Sequence, residues 1–205
     1  MNRTHQFAQG LASVTVVVIL WLINCHAQST TKPVSKDTGS TSATVPQSTE
    51  KTAGLTAYPA DVASVDAIIR RIYDGISGPA GKKRDWVRER ALYLPGARLI
   101  AVGKRRTGEV VNRVMEIEGY ISANSEAMEK EGFFETEIAR RTEEFGNIVH
   151  VWSTYEARHK ADDSKPFMRG INSIQLINDG KRWWVITIMW QAENPDSPLP
   201  EKYLK

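Results

Sequence analysis

The segment "RGINSIQLINDGKRWWVITIMWQ", Arg169 to Gln191, constrains the fold more than any other stretch of this chain. Two extended runs meet at Asp179-Gly180, a pair that favours a tight β-hairpin turn. With those two residues as the loop, Asn178 faces Lys181 and the register follows. One face then carries Leu176 beside Trp183, Ile174 beside Val185, Asn172 beside Thr187 and Gly170 beside Met189. The other carries Gln175 beside Trp184, Ser173 beside Ile186, Ile171 beside Ile188 and Arg169 beside Trp190. Both faces are largely apolar, and half of the chain's six tryptophans lie here. A sheet wetted on one side alternates apolar and polar residues. This hairpin is therefore expected to be covered twice. Helices cover one face, and a second copy of the chain covers the other through Trp184, Ile186, Ile188 and Trp190. Arg169 over Trp190 would add a cation–π contact at that interface.

A second hairpin precedes it. Phe133 to Phe145 and Ile148 to His159 flank Gly146-Asn147, where Gly in first place suits a type II′ turn. Glu143 then faces His150, Arg141 faces Trp152 and Glu137 faces Glu156. The opposite parity of the later strand, Val149, Val151, Ser153, Tyr155 and Ala157, mixes small, apolar and hydroxyl side chains as a pocket wall does.

Upstream the periodicity is helical. Val65, Ile68, Ile69, Ile72, Tyr73 and Ile76 share a face, with Arg70, Arg71 and Asp74 opposite. Pro59 precedes this helix and Asp61 is its candidate cap. A short helix starts at Asp85, strands follow at 98–102 and 110–117, and a weakly apolar helix covers 122–131. Helices first and long hairpins afterwards predict an α+β fold with the helices on one face of the sheet.

The first 57 residues stand apart. Arg3, the apolar run Leu11 to Ile23 and Cys25-His26-Ala27 read as a secretory signal with cleavage after Ala27. The run is shorter than the roughly 20 residues a bilayer span needs. Lipidation of Cys25 and an uncleaved anchor are the alternatives. The chain is thus expected to be exported, periplasmic or secreted. Residues 28–57, rich in Ser, Thr, Pro and Lys, cannot bury enough surface to fold and are expected to be a disordered spacer. That leaves 58–205 as one domain. Cys25 is the only cysteine, so the mature domain has no disulfide, thiolate site or cysteine nucleophile. A formal net charge of +3 without a basic stripe argues against nucleic acid.

Three stretches carry a resemblance: "GFFETEIARRTEEFGNIVHVWSTYEAR" (132–158), "RGINSIQLINDGKRWWVITIMWQAE" (169–193) and "PLPEKYL" (198–204). The chain resembles the nuclear transport factor 2-like superfamily, the SnoaL-like and ketosteroid-isomerase-like proteins, and within it bacterial secreted members of unknown role. The resemblance implies about three helices packed on a strongly curved antiparallel sheet, a cone-shaped pocket and, commonly, dimers. It is a signal of fold more than of function, because that cone hosts enzymes, binders and adaptors.

Set against the isomerase pattern, Tyr73 matches the tyrosine of the first helix, able to hydrogen-bond a developing oxyanion or simply to line the core. The stretch "ARLIAVG" has no carboxylate where the general base belongs, and Ala101 stands there instead. Asn172 takes the approximate place of a protonated acid and can donate but not titrate. Glu137 beside Glu156 would raise one carboxyl pKa inside a cavity, whereas Glu143 with His150 reads as a surface pair. His150 and His159 have opposite parity, which weakens a shared metal site. No phosphate loop or nucleophile elbow occurs, and no metal or cofactor is implied.

The sequence therefore predicts a non-catalytic domain binding a small apolar molecule. Tyr73, Ser153, Tyr155, Asn172 and Thr187 would be its polar contacts, with Trp183, Val185 and Met189 as walls. An isomerase- or dehydratase-like enzyme using Glu137 or Glu156, and a protein-interaction module using the convex sheet face, are the alternatives.

Overall fold

The computed structural model describes residues 56–205. The signal, Cys25 and nearly all of the spacer lie outside them. After a 3-10 turn at Pro59–Asp61 come α1 (Val65–Ile76), α2 (Trp86–Arg90), β1 (Tyr93–Lys104), β2 (Val110–Met115) and α3 (Ile117–Glu131). Then follow β3 (Phe134–Phe145), β4 (Ile148–Arg158), β5 (Met168–Asn178), β6 (Trp183–Ala192) and a last 3-10 turn at Glu201–Tyr203.

Ser64, not Asp61, caps α1: its side chain accepts from Ala67 N at 3.1 Å. Asp61 sits in the 3-10 turn and is taken by Arg88. Ile68, Ile69, Ile72, Tyr73 and Ile76 are buried as the periodicity required, but so is Arg71. Asp85 caps α2 as expected, accepting from Arg88 N at 3.0 Å.

The six strands form one sheet in the order β2-β1-β6-β5-β4-β3. It is mixed rather than purely antiparallel, because β1 pairs parallel with β6. Helices α1 and α3 pack on one face. The core runs from Ile68, Ile69 and Ile72 of α1 through Leu92 and Leu99 to Val151, Ile174, Leu176 and Val185 of the sheet.

The β3–β4 turn is as predicted. Phe145 pairs with Ile148 and Glu143 with His150, and in the loop only Gly146 has positive φ, 57°. Further down, Ile138 is an extra residue, and beyond it Glu137 faces Tyr155 instead of Glu156. A bulge inserts one residue and so exchanges which parity faces the core. Glu137 and Glu135 thereby share the inner face with Tyr155 and Ala157, while Glu156 points outward to Arg158, 2.6 Å away.

The β5–β6 hairpin departs from prediction twice. Asp179 Oδ1 accepts from both Lys181 N (2.8 Å) and Arg182 N (2.9 Å), so the loop holds four residues and Asn178 pairs with Trp183. Ile186 then forms a bulge. Before it Trp183 and Val185 face inward; after it Ile188 and Trp190 do, opposite Ile174 and Asn172. The two apolar parities of β6 are therefore one apolar face read through a bulge. Ile188 is buried and Trp190 packs edge-on against Tyr120, ring centroids 6.0 Å apart, so neither is available to the outer face assigned to a second copy. Arg169 pairs with Glu193 at 2.6 Å rather than with Trp190. Thr187 faces Gln175, and Met189 is exposed on the outer side. Part of that outer face is covered by the chain's own end: Tyr203 stacks on Trp152, centroids 5.6 Å apart, and Thr154 Oγ1 donates to Tyr203 O at 2.6 Å.

Candidate functional site

Three of the residues singled out in the sequence meet below α1. Tyr73 reaches down from the helix and Ser153 and Asn172 rise from the inner face of β4 and β5. The Tyr73 hydroxyl and Ser153 Oγ are 2.5 Å apart, and Asn172 Nδ2 donates to the same hydroxyl at 3.1 Å. Two further members come from β3, brought inward by the bulge at Ile138. Asn172 Nδ2 also donates to Glu135 Oε1 at 3.1 Å, and Ser153 Oγ donates to Glu137 Oε1.

Proton counting fixes the direction of this chain. Ser153 has one hydroxyl hydrogen and gives it to Glu137. The Tyr73 hydroxyl must then donate to Ser153 while accepting from Asn172. Glu137 is in turn held by Arg140 Nε at 2.9 Å and Nη2 at 2.6 Å, and Arg140 Nη1 reaches Asp66 at 2.5 Å. The network runs from Glu135 through Asn172, Tyr73, Ser153 and Glu137 to Arg140 and Asp66. It opens on a cleft of about 250 Å³ between α1 and β3, walled by Tyr73, Glu135, Glu137, Arg140, Asp66 and Arg70 among others.

Glu135 differs from its neighbours. Burial pushes its carboxyl up to about 7, opposed by the hydrogen bond from Asn172. Oε1 is bonded to Asn172, and Oε2 has no partner among the described residues. Oε2 is not among the sealed, unsatisfied atoms of the described residues either, so it meets the cleft. The Tyr73 phenol is raised well above its ordinary value, by burial first and then by Glu135.

The other predicted contacts do not join. Tyr155 is buried with its hydroxyl unpartnered, against Gly170, where an added Cβ would lie 2.6 Å from the Tyr155 oxygen and overlap Gln191 O. Trp183 and Val185 belong to the core beneath α1. Thr187 and Met189 lie on the other face, for the bulge reason given above. His150 faces Glu143 but bonds Ser173 Oγ at 2.9 Å. Ala101 sits between Arg113 and Trp190, with no acid in its place. Among the described residues no cluster of three or more His, Cys, Asp or Glu is placed to hold a metal, and no helix is long and apolar enough to cross a membrane. Glu135 escaped the sequence reading because only the bulge turns it inward. The parity switch in "ETEIAR", where Glu135, Glu137 and Arg140 share a side, was the available hint.

Fold and site together define an α+β domain whose helices cover one face of a mixed six-stranded sheet and whose polar cleft opens beside the first helix. Solved proteins are similar to it in fold alone. A protein of unknown function with a cystatin-like fold from Nostoc punctiforme is 12% identical, with 67% of this chain and 94% of that one covered and a TM-score of 0.48. An NTF-2 like protein of unknown function from Silicibacter pomeroyi is also 12% identical, covering 64% and 94%, with a TM-score of 0.45. Two others bear provisional enzyme names, a ketosteroid isomerase from Shewanella frigidimarina (13% identity, 62% and 90% covered, TM-score 0.39) and a scytalone dehydratase from Novosphingobium aromaticivorans (9%, 64% and 83%, 0.45). No protein-family model and no curated protein matches the chain. At such identities the chemistry has to be read from this chain's own side chains.

Proposed function

We propose that the cleft between α1 and β3 takes a small polar molecule and that Glu135 exchanges a proton with it, as an isomerase or dehydratase of carbonyl or hydroxy compounds requires. The observation that carries this is the unpartnered Oε2 of Glu135, open to the cleft, on a carboxyl raised to about 7. A group poised near neutrality can both take and return a proton. Asn172 fixes its orientation, and the relay through Tyr73 and Ser153 to Glu137 holds Asn172 in turn.

Binding without turnover is the second reading, and one observation favours it. The Tyr73 proton is committed to Ser153, so this tyrosine does not offer it to an oxyanion. Of the residues expected to wall an apolar hollow, Val185 is sealed in the core at 0% exposure and Met189 lies exposed on the outer face, which supports the polar cleft over an apolar hollow as the ligand's place. Export through residues 1–27 remains part of the proposal. So does pairing with a second copy, to which the register leaves Trp184 and Ile186.

Solvent deuterium exchange tests the leading reading. Small ketones, hydroxy acids and hydroxy ketones are incubated with the protein in deuterium oxide and followed by NMR. We expect exchange at carbon next to a carbonyl, reduced by about 100-fold or more in Glu135→Gln. Binding shifts without exchange would favour the second reading. No effect on any compound, with Glu135 titrating in the ordinary carboxylate range, would end both.

A further inference from the structure

A larger cleft, of about 480 Å³, lies on the other side of Arg70 and Asp74, framed by the 3-10 turn, α1 and the connection from Ser77 to Asp85. Six cationic side chains line it, Arg70, Arg71, Lys82, Lys83, Arg84 and Arg88, against three acidic ones, Asp61, Asp74 and Asp85. The excess grows once existing bonds are assigned. Arg88 takes Asp61 through two bonds of 2.6 Å, and Asp85 is occupied as the cap of α2. Arg84 spends its guanidinium on backbone carbonyls: Ile76 O at 2.9 Å, Gly78 O at 2.7 Å, Met128 O at 3.1 Å, and Lys82 O. Among the described residues Arg70, Lys82 and Lys83 have no side-chain partner, and of the three acids Asp74 alone has none.

Two features make this more than a solvated charged surface. Arg84 ties the backbone on both sides of "SGPAGKK", and Gly81 N donates to Glu129 O at 2.7 Å, so Lys82 and Lys83 stand on a fixed loop. A fixed backbone leaves only the side chains to be ordered on binding. Beneath them Arg71, with only 9% of its side chain exposed, lacks a hydrogen bond at Nε; Asp61 is 3.6 Å away and Glu89 Oε2 lies 3.5 Å from its Nη1. Burial holds the Glu89 carboxyl at about 8, so near pH 7 it offers Arg71 little compensating charge. A concave, walled site with an excess of one sign focuses its field on an incoming counter-ion.

We propose that this cleft binds a phosphate-type oxyanion, with Lys82, Lys83 and Arg70 as direct contacts and Arg71 as the buried charge behind them. Its volume suits a phosphorylated small molecule, and an anionic lipid headgroup presents the same chemistry. Calorimetry of the protein with inorganic phosphate and with pyrophosphate, at low and at physiological ionic strength, tests it. Flotation with phosphatidylglycerol vesicles against phosphatidylcholine vesicles separates the two sources. We expect saturable pyrophosphate binding, weakened about tenfold or more in the Lys82→Ala/Lys83→Ala double variant. Phosphatidylglycerol-dependent flotation without pyrophosphate binding, lost in the same variant, would assign the cleft to a headgroup. Binding unchanged in the double variant, or no binding of either probe, would overturn the proposal. Both lysines are on the surface, so folding is not at stake, and a failure here leaves the Glu135 cleft untouched.

Discussion

Glu89 is the most enclosed charge-bearing side chain in the described residues, at 0% exposure, and Gly75 of α1 is what makes room for it. A Cβ on Gly75 would overlap Glu89 Oε2 and Arg71 Nη1 and lie 2.8 Å from Glu89 Cδ. Gly to Ala inside a helix ordinarily gains up to about 1 kcal/mol. Here the sign should reverse, with Gly75→Ala costing roughly 1–3 kcal/mol through overpacking against the buried Glu89 carboxyl and Arg71 guanidinium. Gly119→Ala in α3 is the control: its added Cβ meets Met115 at an ordinary 3.4 Å. Urea unfolding of both variants checks the contrast, and a stabilised Gly75→Ala would show that Glu89 and Arg71 repack freely. At this scale the sequence was informative where local pattern governs. Tyr73 lies on the apolar stripe of α1 and Ser153 on the inward parity of β4, so both could be placed. Arg71, on the polar side of the helix by spacing, was not legible as buried, because Glu89 joins it from α2.

At the scale of elements, hairpin arithmetic succeeds until a strand gains a residue. The β3–β4 register holds from Phe145 to Ala139 and fails at Ile138; the β5–β6 register fails at a loop that Asp179 lengthens and again at Ile186. A bulge leaves no compositional mark, since Ile138 and Ile186 are ordinary strand residues. The parallel pairing of β1 with β6 was equally hidden, because it joins segments far apart in sequence. Bulges re-aim side chains, and here one aims two glutamates into the site. Deleting Ile138 should remove the bulge and leave Glu137 opposite Tyr155 and Glu135 opposite Ala157, so that both glutamates still face inward. Carbon-13 NMR of the glutamate carboxyls should then still show a resonance titrating near 7, with the β4–β5 pairing unchanged. A deletion variant in which that resonance moves to the ordinary carboxylate range would mean that the strand has slipped instead of closing over the missing residue.

Across the described residues, two carboxyls raised by burial and others lowered by hydrogen bonds set opposing pH dependences. Glu89 is raised to about 8 and Glu135 to about 7, both chiefly by burial. Each binds its proton more tightly folded than unfolded, so its contribution is complete below the unfolded value, near 4.3, and declines as pH rises through the folded one. The slope is about 1.4 kcal/mol per pH unit and per group within that window. Asp61 and Glu193 are lowered, by hydrogen bonds from Arg88 and Arg169 respectively, and their contribution instead declines as pH falls below the usual carboxylate range. The two trends cross at mildly acidic pH. The melting temperature should therefore peak near pH 5 and fall toward pH 8, which is the reverse of what a domain with only surface carboxylates shows. Glu89→Gln should flatten the fall over its whole span and Glu135→Gln only as far as about pH 7, and the double variant should be nearly level. A wild-type melting temperature that is constant or rises between pH 5 and 8 would mean that neither carboxyl is desolvated enough to hold its proton more tightly in the folded state. Glu135 would then have lost the property on which its proton transfer depends.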